Sequence, residues 1–369
     1  MIDDSTNRMN RRRFLQAASA GGAVGLAGCA GWVFDSDNTP SKTVSEPAGM
    51  EWRVKTGARG WTTPAVSDDA FFVGGSAIQA LDPESGEELW RAAGEGTPAV
   101  RDGSVYVTGQ GRVIALDAQS GDEQWTYTLG DPSRVPNSPV AVTEDAVYAT
   151  GTALHAIDRA TGEELWTFEP AGMTQDMHDP AASGEVVCVA DSNGFTYGFD
   201  PVSGEELWNR VLSLRRPVAS GPAVYGAGGR AVHKLAGRTG DTEWTYETNS
   251  HPQLADTIST QQADTVSEQQ LYVSTPDATV FGLSTEGGRA RELTYIGSWP
   301  TSPTIYEEGV LVGSDSRLYG LPRYSDNWDV EFEPRGDTQY GPVSAGRVTR
   351  GIVCVNFNNW TYGLDLSSY

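Results

Sequence analysis

Apolar residues in this chain occur in short runs that lack the spacing of an amphipathic helix. The runs VYVTG (105–109), AVYAT (146–150) and VVCVA (186–190) are rich in β-branched or aromatic side chains, and Gly or Asp ends or follows each one. Such short runs bounded by turn residues are typical of β-strands. No 11-residue window after Met50 has convincing helical periodicity. The pattern therefore predicts an all-β fold.

The runs belong to a repeat. SGEELW occurs at 85–90 and 203–208, and TGEELW occurs at 161–166. The apolar residue that precedes the turn recurs eight times at spacings between 35 and 48 residues, which is the length of a four-stranded propeller blade. These positions are Leu81, Leu116, Ile157, Phe199, Leu235, Leu283, Leu321 and Leu364. The repeat predicts eight blades of four antiparallel strands.

A second marker lies in phase with the first. A small or polar residue followed by proline is expected to precede the first strand of each blade, and the sixth unit lacks this proline. The pairs are Thr63-Pro64, Thr97-Pro98, Ser138-Pro139, Asp179-Pro180, Gly221-Pro222, Ser302-Pro303 and Gly341-Pro342.

The two ends of the repeat region predict how the ring closes. The chain stops at Tyr369, just after a third-strand signal, whereas MEWRVKTG (50–57) is a fourth-strand signal with nothing before it. Because closing the ring leaves no long exposed sheet edge, we expect the strand around Trp52 to complete the last blade beside Trp360 to Asp365. The predicted fold is an eight-bladed β-propeller closed by the N-terminal strand.

The repeat carries the pattern A-x-D-x-x-[ST]-G-x-x-x-W, intact at Ala80 to Trp90, Ala115 to Trp125 and Ala156 to Trp166. This pattern resembles the tryptophan-docking motif of the pyrroloquinoline-quinone-like (PQQ-like) propeller repeat. The resemblance implies that each tryptophan packs between adjacent blades and that the Asp and Ser/Thr side chains hold the turn. The blade-docking residues that it implies are Trp52, Trp90, Trp125, Trp166, Trp208, Trp244 and Trp328.

The first 49 residues predict export and tethering. Arg11 and Arg12 before Phe14-Leu15 resemble a twin-arginine (Tat) export signal, and LAGC, ending at Cys29, resembles a lipobox whose cysteine is lipidated. An ordinary transmembrane anchor is the alternative, but the apolar run is too short to span a bilayer comfortably. We therefore expect a signal peptide at 1–29, a flexible tether at 30–49 and the propeller at 50–369. The expected location is the outer face of the cytoplasmic membrane.

Charge narrows the choice of partners. The chain has 49 acidic and 26 basic residues, a formal net charge of −23, and only three lysines. This composition resembles that of proteins from salt-adapted archaea, and the acids are interpreted as evenly spread along the chain. In molar salt the Debye length is about 3 Å, so mutual repulsion is screened. An acidic surface made for a basic partner is the alternative. Nucleic acid is disfavoured, because its phosphates would meet the wrong sign of charge.

The resemblance covers two functional classes: quinoprotein dehydrogenases and non-catalytic propellers such as the assembly lipoprotein BamB. The dehydrogenases commonly carry adjacent cysteines and a calcium-binding set of Glu, Asn and Asp. Neither is recognisable here, and the four histidines lack zinc-ligand spacing. We therefore expect no catalytic residue, no metal and no cofactor. The predicted role is a monomeric protein-binding or assembly scaffold whose partner is an extracellular or membrane protein. The alternative is a PQQ- and calcium-dependent dehydrogenase of alcohols or sugars.

Propeller geometry indicates where a binding site would lie. The loops that enter the first strands converge on one mouth of the central channel, and their residues do not repeat from blade to blade. The pair Arg215-Arg216 is the most distinctive, because it is basic in a very acidic chain. Ordinary polar loop residues are the alternative. The candidate binding residues are Arg59, Trp61, Arg134, Asp176, His178, Arg215, Arg216, His251, Gln253, Trp299, Gln339 and Tyr340.

Overall fold

A computed structural model describes residues 49–366 except for several segments within that range. The segments that it does not describe are 59–61, 132–137, 171–176, 255–265, 268–269, 278, 289, 296–299, 302, 307–308, 315–316, 323–329 and 333–342. Arg11, Arg12, Cys29 and Trp328 therefore lie outside the described residues. So do the candidate mouth residues Arg59, Trp61, Arg134, Asp176, Trp299, Gln339 and Tyr340.

The described residues form 33 β-strands and no α-helix. The first strand is β1 (Met50–Lys55). Blade 1 contains β2 (Ala65–Val66), β3 (Phe71–Val73), β4 (Ile78–Leu81) and β5 (Glu88–Ala92). Blade 2 contains β6 (Ala99–Arg101), β7 (Ser104–Gly109), β8 (Arg112–Asp117) and β9 (Glu123–Thr128). Blade 3 contains β10 (Ala141–Val142), β11 (Ala146–Thr150), β12 (Leu154–Asp158) and β13 (Glu164–Phe168).

The remaining blades follow the same order. Blade 4 contains β14 (Ala181–Ala182), β15 (Val187–Ala190), β16 (Phe195–Phe199) and β17 (Glu206–Val211). Blade 5 contains β18 (Arg215–Ser220), β19 (Ala223–Gly228), β20 (Ala231–Ala236) and β21 (Thr242–Glu247). Blade 6 contains β22 (Gln253–Leu254), β23 (Val266–Ser267), β24 (Gln270–Ser274), β25 (Thr279–Ser284) and β26 (Ala290–Tyr295). Blade 7 contains β27 (Thr304–Tyr306), β28 (Gly309–Ser314), β29 (Arg317–Pro322) and β30 (Val330–Phe332). Blade 8 contains β31 (Ser344–Thr349), β32 (Ile352–Phe357) and β33 (Trp360–Asp365).

The fold is an eight-bladed β-propeller, as the repeat predicts. The strands of each blade pair antiparallel in chain order, and β1 forms the fourth strand of blade 8 by pairing with β33. First strands of neighbouring blades contact one another, and β31 touches both β27 and β2. The closing strand around Trp52 is therefore confirmed.

Two blades depart from the expected pattern. In blade 6 the short strand β23 pairs with β24 in addition to the four regular strands. In blade 5 the Gly221-Pro222 marker is wrong as a first-strand signal, because it lies in the turn after β18. Pro217 lies within β18 instead, where the pairing with β19 shifts between Arg215 and Val218. A proline donates no hydrogen bond to the ladder, so within a strand it fits at such a bulge.

Apolar side chains pack between neighbouring blades. The middle strands are buried on both faces, as in β7 of blade 2 and β11 of blade 3. One core cluster joins Phe72 and Trp90 of blade 1 to Val105 and Ile114 of blade 2. This explains why the middle strands are continuous apolar runs. Cys188 and Cys354 are free thiols in these layers, and burial raises the pKa of both.

The repeated tryptophan joins each of these blades to the next. Trp90 Nε1 of blade 1 donates a 3.0 Å hydrogen bond to the carbonyl oxygen of Ala118 in blade 2. Its ring lies against Gly121, whose φ is 75°, and a Cβ at Gly121 would lie 2.6 Å from Trp90 Cδ2. The same contact joins the indole of one blade to a turn glycine of the following blade in five further pairs: Trp52 with Gly86, Trp125 with Gly162, Trp166 with Gly204, Trp208 with Gly240, and Trp244 with Gly288.

The repeated aspartate holds the turn beneath the tryptophan. Asp82 Oδ1 accepts hydrogen bonds from the backbone N–H of Glu84 at 3.0 Å and of Ser85 at 2.8 Å, and from the Ser85 hydroxyl at 2.8 Å. These donors, led by the Ser85 backbone, lower the pKa of Asp82. Equivalent bonds lower the pKa of Asp117, Asp158 and Asp200 in the next three blades.

Candidate functional site

The blades divide the propeller surface into two faces. The turns between first and second strands and between third and fourth strands lie at one end, which we name the turn face. The connections between second and third strands, and those leading from one blade to the next, lie at the opposite end, which we name the mouth face. This division follows from the antiparallel order of each sheet.

Most of the described turn carboxylates lie at the turn face. They are Asp68, Asp69, Asp82, Glu84, Glu87, Asp102, Asp117, Asp122, Glu144, Asp145, Asp158, Glu163, Glu185, Asp200, Glu205, Asp241 and Glu286. The mouth-face connections contain fewer acids in the described residues: Glu95, Asp131, Glu169, Asp179, Asp191 and Asp277. The sequence analysis expected the acids to be evenly spread along the chain, but among the described residues they are unevenly divided between the two faces. They follow the turn positions of the repeat.

Blade 5 and the strand before it contain few acidic residues. Between Leu207 and Gly240 the chain has no aspartate or glutamate but six arginine and lysine residues. Three of the six have partners away from the mouth face. Arg210 donates to the carbonyl of Gly240, Lys234 Nζ lies 2.7 Å from Glu243 Oε2, and Arg238 Nη1 lies 3.6 Å from Asp200 Oδ2. The other three, Arg215, Arg216 and Arg230, lie at the mouth end.

A short buried connection fixes the first two of these arginines. Leu214 is fully buried, and its backbone N–H donates a 3.1 Å hydrogen bond to Thr196 Oγ1 of blade 4. Arg215 and Arg216 follow immediately as the first residues of β18, and both are exposed. The predicted loop pair therefore lies at the start of a strand whose backbone is anchored to the neighbouring blade.

Arg216 has an unusual backbone conformation. Its φ is 45°, in the left-handed region that side chains other than glycine rarely adopt, at a cost of about 1–2 kcal/mol. Arg216 lies in the bulge between Arg215 and Val218, where the pairing of β18 with β19 shifts. Arg216 Nε lies 3.9 Å from Asp179 Oδ2, and half of the Arg216 side chain remains exposed.

Arg230 was missed by the sequence analysis. It is an exposed residue in the turn between β19 and β20, and the backbone N–H of Thr248 donates a 2.7 Å hydrogen bond to its carbonyl oxygen. Arg215 pairs with Ala227 on β19, the strand that lies between β18 and β20. Ala227 in turn pairs with Val232 of β20, and Arg230 lies two residues before Val232 in the turn, so strand spacing places the backbones of Arg215 and Arg230 on the order of 10 Å apart. The absence of acids from 207 to 240 is the signal that could have found it.

The other described candidates surround this blade. His178 is half-buried, and its backbone N–H donates a 2.8 Å hydrogen bond to Ala190. His251 and Gln253 are exposed at the entry to blade 6. Ser250, beside His251, donates a 2.9 Å hydrogen bond to Asp277, and the hydroxyls of Thr275 and Ser250 lower the pKa of that carboxyl group. The structure thus places these candidates on blades 4, 5 and 6.

Asp191, an acid at the mouth face, forms its side-chain hydrogen bonds within blade 4. Its side chain is buried, and it accepts hydrogen bonds from the backbone N–H of Asn193 and Phe195 and from the Tyr197 hydroxyl at 3.0 Å. Burial and the bond to Asp191 raise the pKa of Tyr197 to about 12. Asp191 therefore shapes a turn and adds little negative charge to the exposed surface.

A polar cluster outside the mouth face joins blades 2 and 3. Tyr127 of blade 2 donates a hydrogen bond to Glu164, and its hydroxyl lies 3.1 Å from His155 Nδ1. Burial lowers the pKa of His155 and also that of His233, which occupies the matching strand position in blade 5. Both histidines pack against neighbouring side chains.

Two features are absent from the described part of the chain. No group of three or more His, Cys, Asp or Glu side chains among the described residues is placed to hold a metal ion. Among the same residues there is no helix with the length and apolar character needed to cross a bilayer.

The chain is similar in sequence to one protein family and to part of one kinase. The family described as outer membrane protein assembly factor BamB matches residues 43–166 and 149–303. The chain is 29% identical over 160 residues to the serine/threonine-protein kinase AfsK of Streptomyces griseus, a match that covers 39% of this chain and 20% of the kinase. The chain thus spans about a fifth of that kinase's length.

Solved structures of two kinds have the same fold. BamB from Moraxella catarrhalis superposes with a TM-score of 0.62 at 16% identity, over 86% of this chain and 99% of that protein. A europium-containing methanol dehydrogenase superposes with a TM-score of 0.60 at 13% identity, over 85% of each chain. At these identities the similarity establishes the fold alone, and it includes both an assembly factor and an enzyme.

Proposed function

The chain belongs to the protein family described as outer membrane protein assembly factor BamB, and we propose that it is a non-catalytic scaffold that binds another protein through its mouth face. The observation that carries the proposal is the group of exposed arginines at the mouth end of blade 5. They lie on a framework fixed by Leu214 and the β18 bulge, in a chain with a net charge of −23. Arginine is well suited to protein interfaces, because its planar guanidinium forms paired hydrogen bonds with carboxylates.

The proposal includes a location. The paired arginines Arg11 and Arg12 and the lipobox cysteine Cys29 support export and lipid attachment at the outer face of the cytoplasmic membrane. Residues 30–49 would then form the tether between the anchor and the blades. On this proposal the partner is an extracellular or membrane protein that the propeller reaches through its mouth face.

Affinity capture from membranes at native salt tests the proposal. The full chain is compared with the double variant R215E/R216E and with R112E, which changes an exposed arginine at the mouth end of β8 in blade 2. We expect a defined partner to co-purify with the unaltered chain and with R112E, and to be lost with R215E/R216E. An identical set of captured proteins for all three chains would contradict the proposal.

A PQQ- and calcium-dependent dehydrogenase is the alternative, and it is compatible with the fold that the chain shares with the methanol dehydrogenase. The cofactor would supply the redox chemistry, with calcium as Lewis acid. This alternative predicts that PQQ and calcium together raise the thermal midpoint of the purified chain and support dye-linked oxidation of an alcohol or sugar. The scaffold proposal predicts neither response.

A further inference from the structure

Arg215 and Arg230 are unusual among the charged residues of this acidic chain. Both are exposed at the mouth end of blade 5. Within the part of the chain that the structure describes, neither guanidinium has an ion pair or a hydrogen bond. Arg216 lies beside Arg215 and is half exposed. The stretch from Leu207 to Gly240 contains no carboxylate, and Asp179 of blade 4 lies 3.9 Å from Arg216 Nε.

From this arrangement we infer that the mouth end of blade 5 binds a carboxylate-rich, extended segment of a protein through Arg215, Arg216 and Arg230. The inference rests on the proposed scaffold function, and it adds the chemistry that the partner must present. Guanidinium groups form charge-assisted, bidentate hydrogen bonds with carboxylates. These three groups are therefore complementary to a short run of Asp or Glu side chains.

Spacing favours an extended segment. Two strand spacings, about 10 Å, separate Arg215 from Val232, and Arg230 lies two residues from Val232 in the adjoining turn, so the two arginine backbones are on the order of 10 Å apart. In an extended polyproline-II segment, which has three residues per turn, residues i and i+3 lie on the same face about 9 Å apart, at roughly 3.1 Å per residue. Two carboxylates at this separation can therefore reach Arg215 and Arg230 together.

Charge elsewhere on the mouth face favours a narrow ligand over a broad anionic surface. A membrane or a nucleic acid covering this face would also meet Glu95, Asp131 and Glu169 of blades 1 to 3. A peptide segment confined to blade 5 avoids these three acids and meets Glu247, which lies opposite Ala231 at the end of β21. In molar salt, where the Debye length is about 3 Å, pairs in direct contact persist while long-range attraction is lost. Recognition must then depend on contact geometry more than on net charge.

Fluorescence anisotropy with a labelled peptide tests the inference on the full chain. The probe is a ten-residue Ser/Glu peptide with Glu at every third position, and the matched probe carries Gln at the same positions. We expect the Glu peptide to bind and the Gln peptide not to bind. R215E and R230E should each weaken binding by roughly tenfold or more, because a hydrogen bond to a charged group contributes that much. R112E should change the affinity less than twofold.

Two further variants separate binding from folding and geometry from charge. R216G relieves the left-handed strain at φ 45°, so its thermal midpoint should not fall, while its affinity for the Glu peptide should fall about tenfold. R215K/R230K keeps both positive charges but removes the planar guanidinium groups that form paired hydrogen bonds, so it should also weaken binding. Full affinity in R215K/R230K would mean that net charge suffices and would overturn the inferred geometry.

Other outcomes would also overturn the inference. They are equal binding of the Glu and Gln peptides, equal loss of affinity in R112E and R215E, or binding to phosphatidylglycerol vesicles without binding to the Glu peptide. If the peptide does not bind but membrane capture still depends on Arg215 and Arg216, the carboxylate inference fails and the scaffold proposal stands. If the peptide binds but the captured proteins are unchanged in R215E/R216E, the scaffold proposal fails instead.

Discussion

The turn face and the mouth face of this propeller differ in how their charged residues are held. At the turn face, Asp82, Asp117, Asp158 and Asp200 accept equivalent hydrogen bonds in successive blades. At the mouth end of blade 5, Arg215 and Arg230 have no such bonds among the described residues. The four turn-face carboxylates are therefore part of the architecture, whereas Arg215 and Arg230 are exposed without such bonds among the described residues.

The two faces should consequently respond differently to substitution. A repeated residue at the turn face contacts the next blade, so its loss affects packing between blades. An exposed arginine at the mouth face has little packing to lose, and surface changes of this kind usually alter stability by about 0.5 kcal/mol or less. Stability should therefore depend on the turn face and binding on the mouth face.

The largest expected effect is the loss of a docking tryptophan. Trp90 is 9% exposed and packs with Phe72 at a ring-centroid distance of 5.8 Å. W90A should lower the free energy of unfolding by about 3–5 kcal/mol in urea titrations, because it leaves a cavity between blades 1 and 2. The matched control is L89A, the preceding residue, which is 51% exposed. Equal losses in W90A and L89A would contradict the assigned role of Trp90.

A smaller loss of stability is expected from substituting the glycine that packs against Trp90. Gly121 and Gly103 lie in turns of blade 2 with φ of 75° and 78°, but a Cβ would meet Trp90 only at Gly121 and would find no atom within 4 Å at Gly103. Both alanine variants should lose about 1–2 kcal/mol to backbone strain. Contact with Trp90 should cost G121A about 1–3 kcal/mol more. Equal unfolding midpoints for the two variants would mean that the indole moves aside freely.

The smallest effect concerns acid pH. Hydrogen bonds hold the pKa of Asp82, Asp117, Asp158 and Asp200 below the ordinary value of 3.8 in the folded state. The stability that they contribute is therefore present above pH 3.8 and is lost as pH falls through the folded pKa values. Replacing all four by Asn should flatten the decline of the thermal midpoint below about pH 4, because Asn accepts the turn bonds without titrating. Parallel pH profiles would exclude this contribution.

The repeat was sufficient to predict the blades because its determinants are local. The Asp-x-x-Ser/Thr-Gly turn is closed by bonds within a few residues, and the spacing of its copies sets the length of each blade. The pairing of β1 with β33 followed from counting strands. Blade 5 was the exception, because Gly221-Pro222 is a turn signal that the proline marker alone could not distinguish from a strand entry.

The candidate site was predicted only in part. Arg215 and Arg216 are adjacent in sequence and conspicuous in an acidic chain. Arg230 is fourteen positions after Arg216, and only the pairing of β18 with β19 and of β19 with β20 brings it to the same end of the blade. The boundaries at 29 and 49, lipidation at Cys29 and the mouth residues outside the described segments stay predictions.

By itself, the sequence determined the eight-bladed ring, because turns, strand lengths and docking tryptophans are encoded within each repeat. Tertiary structure decided how charge is distributed over the surface. It placed the repeated acids at one face, paired Lys234 with Glu243 and Arg238 with Asp200, and left Arg215 and Arg230 exposed at the other. The physical reason is that an ion pair depends on distances between side chains from different strands, which no repeat unit specifies alone.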